Sequence, residues 1–418
     1  MLFEFPRLHL KEIYASIVAT PLTKYSMLPN MDQDKQILSL MVSGRLNASG
    51  WESFSDADWE RLISKARMEG VAPLLYWAFS QSGNFSSLPQ DIRNSLRASY
   101  AYTWMQNQKN FKELETLSHL FASAEIPLVL LKGACFALTI YPDIGLRPMG
   151  DMDVLIPKGK LSAAIKIVKT LGYIDELPEA YPGLRDWLDK EVSLQKTSVP
   201  FNILELHSSL LVDRSYAYAV PAEWFWKHTE SLGDVPEMRF KNLLVLTPEA
   251  QLLYSSAHMI LKHGSTGVLV RWLYDLDLLI RHYDGRMDWD LLFSQAKVFE
   301  WGSALDEALS QTRTSFNTPV PDRVLENLRK NTDRYRQWIV CRKRRPATHV
   351  LEELQNLEVL KWYGRLIVIF GLIAPGPAYM RWRYHLKSSW LLPMYYLIRW
   401  GEILKDLIFT VKVVLTAG

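Results

Sequence analysis

A chain of 418 residues is too long for one ordinary domain, so two or three structural units are expected. Hydrophobic residues make up 48% of it and charged residues 22%, which excludes a disordered chain, and a net charge of +3 over this length makes no bulk-charge case for nucleic acid. Two cysteines, Cys135 and Cys341, exclude a disulfide framework and a cysteine zinc site, and they suit a reducing cytosol.

The N-terminal stretch MLFEFPRLHLKEIY places acids and bases too early for the apolar core of a signal peptide. From about Lys35 to Ala124 the pattern is helical. ADWERLISKARMEGVAPLLYWAF repeats apolar residues at threes and fours, SDADW supplies a cap with early acids, and YTWMQNQKNFKELETLSHLFASA predicts a second long helix.

The period changes at Ile126. IPLVLL reads as a buried strand and KGACFALTIY as a helical turn or two; after a Pro and Gly loop, DMDVLI is a second strand. KLSAAIKIVKTLGY predicts an amphipathic helix stopped at Gly172, and EVSLQK and FNILELH, split by TSVP, predict a two-stranded hairpin. Helices return near Thr247, where TPEAQLL places Pro at the first helical position, and continue through WLYDLDLLIRH and DWDLLFSQAKVF. The expected fold is α+β: residues 1–124 helical, a small mixed-sheet α/β core at 125–215, and a second helical region at 216–418.

No uncharged apolar run reaches the roughly 18 residues of a spanning helix. Residues Leu366 to Met380 come nearest but contain Pro375 and Pro377. Trp390 to Ala417 is very apolar, with Arg399, Lys405 and Lys412 among its few charges, so it suits either a membrane surface or the protein's own core, and the core is the expectation.

The chemistry concentrates in the middle zone. Side chains alternate faces along a strand, so Asp151 and Asp153 share one face, and Glu205 and His207 share another opposite Leu204 and Leu206. If the strands are neighbours, three carboxylates converge, an arrangement relieved by one or two divalent cations, Mg2+ or Mn2+. Lys132 and Gly133 end a strand and open a helix, where free N–H groups favour an anion. Arg147 could grip a phosphate bidentately. Carboxylates for metal and cations for phosphate on one small sheet suit metal-assisted phosphoryl or nucleotidyl transfer.

The order LLKG, Arg147, GDMDVLI, LGY and ELH resembles the uncharacterised nucleotidyltransferase family of the polymerase-β-like superfamily, and the likeness spans roughly Lys35 to Asp290 with an echo in PGPAYMRWRYHL. The resemblance implies a nucleotidyltransferase core that moves an NMP group from an NTP to an acceptor hydroxyl on a protein, RNA end, peptide or metabolite. It makes Asp151 and Asp153 the metal pair and Glu205 the third carboxylate. Lys132 and Gly133 would hold the triphosphate with support from Arg147, and His207 would stand behind the ligands. Two positions depart from the superfamily pattern: Ala134 follows Gly133 where Ser or Gly is usual, and Glu205 stands where Asp is usual. These keep open a degenerate binding or scaffold module; a DxD glycosyltransferase is the third reading, with too little chain before the DxD strand for a sugar-nucleotide sheet.

His258, His263, Asp275 and Asp277 suggest a second metal site, but five residues on an α-helix turn the two histidines about 140° apart. Packing or nucleotide contacts are the expectation for them. The CRKRR run at 341–345 reads as a solvated face. The expected location is the cytoplasm, with the C-terminal helices available for a peripheral membrane or protein contact.

Overall fold

The computed structural model describes residues 31–46, 48–175, 191–196, 203–210, 220, 222–265, 267–330 and 362–416. The N-terminal stretch through Asn30, the TSVP connection and the CRKRR run lie outside them. Helix α1 (Met31–Val42) is followed by α2 (Asp56–Met68), which starts where the sequence indicates. Ser55 Oγ accepts from the Asp58 N–H, and Asp58 accepts in return from the Ser55 N–H at 3.1 Å. Gly70, at φ 71°, breaks the apparently continuous helical pattern and lets α3 (Ala72–Gln81) set off on its own course. Helix α4 (Gln90–Ser123), 34 residues and about 50 Å long, then runs from the helical body to the sheet.

Among the described residues, seven strands form one mixed sheet: β1 (Leu128–Leu130), β2 (Asp151–Leu155), β3 (Tyr173–Asp175), β4 (Glu191–Lys196), β5 (Ile203–His207), β6 (Thr229–Ser231) and β7 (Leu243–Leu246). Their order is β3-β4-β5-β2-β1-β7-β6. The hairpin read from EVSLQK and FNILELH is the antiparallel pair β4–β5, and β5 lies parallel to β2 with Asp153 opposite Glu205. Helix α5 (Lys132–Thr139) follows β1, and α6 (Leu161–Thr170) stops two residues before Gly172, at φ 87°. Strands β6 and β7 come from beyond residue 215, where the sequence pattern suggested helices only, and β7 pairs parallel with β1. LLVL is a short apolar run, for which periodicity does not separate strand from helix.

Alternation gives the sheet two different faces. Met152, Val154, Leu204 and Leu206 pack on one side with Phe111, Leu117 and Phe121 of α4 and Ala164 and Val168 of α6. The other side carries Val129 and Leu155 into the larger core of the helical body. That body contains α7 (Ala222–Lys227), α8 (Pro248–Ala257), α9 (Val270–His282), α10 (Trp289–Val298), α11 (Gly302–Phe316) and α12 (Asp322–Lys330). Pro248 occupies the first turn of α8 as expected, and α8 runs on into a π-helical turn, His258–Lys262.

The body is tied together at Glu69, only 3% exposed. Its carboxylate takes Lys65 at 2.9 Å and Lys35 at 3.5 Å, and accepts the Val270 N–H at 2.9 Å. A buried acid at the N-terminus of α9 satisfies a free amide and suits the helix dipole.

Three C-terminal helices complete the described chain: α13 (Trp362–Ile373), α14 (Pro377–Arg383) and α15 (Leu392–Thr416). They bond to each other, Trp400 Nε1 donating to Ile373 O (2.6 Å) and Tyr384 Oη to Glu402 (2.8 Å). The expectation that this apolar segment is covered by the protein's own core fails at many positions. Trp390, Leu397 and Leu404 are 77%, 63% and 59% exposed. Among the described residues, no helix is long and apolar enough to cross a membrane.

Candidate active site

Strands β2 and β5 put Asp153, Glu205 and His207 side by side on the face that looks into the helical body, and one ligand atom from each lies within 4.8 Å of the others. His207 Nε2 is 2.8 Å from Asp153 Oδ1 and 3.4 Å from Glu205 Oε2. Lys132, arriving from the end of β1, sets its Nζ 2.6 Å from Asp153 Oδ1 and 4.0 Å from Glu205 Oε2. Its backbone takes a left-handed φ of 48°, rare for a residue with a side chain. Asp151 lies two residues before Asp153 on the same face, exposed at the open end of the strand.

The charges act on one another at short range. Burial alone would raise the Asp153 pKa, but the Lys132 charge and the His207 hydrogen bond outweigh it and hold the carboxyl well below the usual range. Burial pushes Glu205 up to about 7; the His207 hydrogen bond resists this, and the Asp153 and Glu191 charges add to it. Burial opposes a charge on His207, yet its hydrogen bonds to Asp153 and Glu205 raise it above the ordinary value. For Asp151, crowding by the surrounding protein and then the Asp153 charge raise the pKa, partly offset by Lys132 and Arg271. Lys132 remains an ammonium despite its burial because the Asp153 carboxylate, 2.6 Å away, and Glu205 favour its charge.

Helix α5 begins at this cluster. Its first internal bond to the preceding strand end is Cys135 N to Leu131 O at 3.3 Å, so helix geometry leaves the amides of Lys132, Gly133 and Ala134 at the open end. Ala134 is 1% exposed and packs with Leu128 and Met152, so its side chain points into the core and away from that end. Gly133 is needed for close approach: a Cβ there would lie 3.1 Å from Arg147 Nη1 and 3.2 Å from its Cζ.

Arg147 is brought to the turn, but its guanidinium is already engaged. Nε and Nη2 donate to the two oxygens of Asp275 at 2.8 and 2.7 Å, and Nη1 donates to Pro148 O at 2.6 Å. Tyr141 Oη donates to the same Asp275 at 2.8 Å. Asp277 in turn accepts from Arg281 and Thr318. The two aspartates of α9 are thus ion-pair partners inside the body.

Sequence reasoning passed over two groups here, Arg271 and Tyr254, and gave His258 only packing or a nucleotide contact. Arg271, in the first turn of α9, donates to Pro148 O at 3.3 Å, and its buried Nε has no partner. Burial first, then the Arg147 charge, lowers its pKa to about 10. Tyr254 Oη and His258 Nε2 are also buried without partners, and the charges of Lys132 and Asp153 act on both. An arginine one turn into a helix carries no local mark of function; only the folded neighbourhood shows its charge to be unmatched. The histidine spacing argument also changes, because the π turn widens the helix and brings the His258 and His263 rings to 5.0 Å between centroids.

The donor set fits a cation. Two carboxylates and an imidazole face each other, burial and the neighbouring Asp153 and Glu191 charges push the Glu205 carboxyl up to about 7, and the buried His207 Nδ1 lacks a hydrogen-bond partner among the described residues. Paired acids on adjacent strands, a lysine and an open helix end are an arrangement that suits phosphoryl transfer. A family model described as uncharacterised nucleotidyltransferase matches residues 55–317, most of the chain, and the protein belongs to that family. It is thereby a transferase of phosphorus-containing groups, and its family acts on nucleotides. No curated protein matches the chain.

Proposed function

We propose that the protein is a Mg2+-dependent nucleotidyltransferase, with Mn2+ able to substitute, that moves an NMP group from an NTP to an acceptor hydroxyl. The observation that carries this reading is the register pairing of Asp153 with Glu205 beneath Lys132. Asp151, Asp153 and Glu205 would hold the metal, and His207, 1% exposed, fixes the Asp153 carboxylate through Nε2. Bound there, a divalent ion would polarise the α-phosphate and acidify the attacking hydroxyl.

The chain's own cations handle the phosphates. Lys132 and the open amides around Gly133 bind the triphosphate and steady the charge that builds on departing pyrophosphate. Arg147 supports that turn through its contact with Gly133 and its grip on Asp275. Arg271 supplies the unmatched positive charge, because no carboxylate forms an ion pair with it among the described residues. The acceptor oxygen forms its bond to the α-phosphorus as the α–β bridge breaks. A buried free Cys135 suits a reducing cytoplasm.

The test is calorimetric binding of the four NTPs, with and without Mg2+, to the wild type and to Asp151→Asn/Asp153→Asn. Magnesium-dependent binding that disappears in the variant is expected. A well-folded wild type that binds no NTP returns the fold to the degenerate, non-catalytic reading.

A further inference from the structure

The C-terminal helices carry two apolar stripes that no part of the described chain covers. On α13 the exposed large residues are Trp362, Leu366, Ile369, Phe370 and Ile373. Their spacing of four, seven, eight and eleven is one face of a helix. On α15, Leu397, Trp400, Leu404, Leu407, Ile408 and Val411 repeat the pattern, and all are exposed. A stripe of this kind normally faces a core, and exposed apolar patches of this extent mark an interaction surface.

Charge says what occupies it. Residues 362–416 contain seven Lys and Arg against two acids, Glu402 and Asp406, an excess of five in a chain whose total is +3. Lys387 and Lys405 are exposed, and the tryptophans at 362, 382, 390 and 400 are all more than 40% exposed. A second copy of this surface would bring like charges together. Nucleic acid would accept the charge but would not cover two aliphatic stripes. A bilayer with anionic headgroups satisfies both, with aromatic rings at the headgroup level and lysine stems reaching past the apolar face. Glu402, Lys405 and Asp406 within α15 oppose a spanning helix, in keeping with the lack of a helix apolar enough to cross.

We infer that α13 to α15 form an interfacial anchor that seats the protein on an anionic lipid surface. The surface is separate from the Asp153 cluster, so the anchor stands or falls independently of the catalytic reading.

The experiment is flotation of the full chain with phosphatidylcholine vesicles and with vesicles of phosphatidylcholine and phosphatidylglycerol. Binding to the anionic vesicles is expected, weakening with added salt. Lys387→Glu/Lys405→Glu lowers it about tenfold or more. Leu404→Gln/Ile408→Gln/Val411→Gln removes it; these side chains are exposed, so circular dichroism melting stays that of the wild type. The proposal is overturned if neither vesicle is bound, if both are bound equally, or if the glutamate variant binds as before. Reversible dimerisation in sedimentation without vesicle binding assigns the stripes to a second copy and overturns it too.

Discussion

At the scale of single residues, Glu205 and Arg271 are two groups of the site whose charged forms burial disfavours. The folded pKa of Glu205 is raised to about 7 against an ordinary 4.5, so the folded state holds a proton there that the unfolded state releases. Its contribution is therefore fully present below pH 4.5 and is lost as pH rises through 7. In chelator-treated protein, Glu205→Gln raises thermal stability at pH 8, on the order of 2 kcal/mol, and changes it little at pH 5. With Mg2+ and NTP the sign reverses, because the carboxylate is then needed as a ligand; melting curves at the two pH values read both effects. Arg271→Met removes a partly buried cation with no ion-pair partner, so Tm holds or rises while NTP affinity falls about tenfold by calorimetry. A purely structural arginine would show the opposite, a lower Tm with affinity intact.

At the scale of elements, the Arg147–Asp275 fork joins the loop before β2 to α9, and so fixes the distance between the phosphate turn and the helical body. Both side chains are almost fully buried, at 5% and 3% exposure. Removing one partner leaves a charge in the interior, so Arg147→Met costs about 3–5 kcal/mol in denaturant unfolding. Arg147→Met/Asp275→Leu recovers most of that loss, since neither charge remains, and the recovery distinguishes a fork from independent contacts. NTP binding in the double variant stays weakened, because Gly133 has lost the guanidinium it packs against.

At the scale of the whole molecule, the site lies where the sheet meets the helical body. Its carboxylates come from β2 and β5, its lysine from the start of α5, and Arg271 from α9. A ligand held by all of these bridges the two parts. Saturating Mg2+ and the preferred NTP raises Tm, equivalent to about 3 kcal/mol at a hundredfold excess over Kd. Asp153→Asn abolishes that shift, which scanning calorimetry measures directly.

The sequence by itself determined the local pieces: the Ser55 cap, the strand carrying Asp151 and Asp153, the hairpin with Glu205 and His207 on one face, the helix opening at Lys132, and the stop near Gly172. These follow from period two, period 3.6 and capping, which act over a few residues and are written in neighbouring letters. The tertiary structure alone decided that β6 and β7 extend the sheet past residue 215, where a four-residue apolar run has no distinguishing period. It also decided that Arg147 binds Asp275, 128 residues away, and leaves Arg271 unmatched. Charged side chains at such separations choose partners by burial and geometry that no local pattern encodes. The same holds for the C-terminal segment: its apolar composition was legible, but whether a core would cover it depended on where the rest of the chain folded.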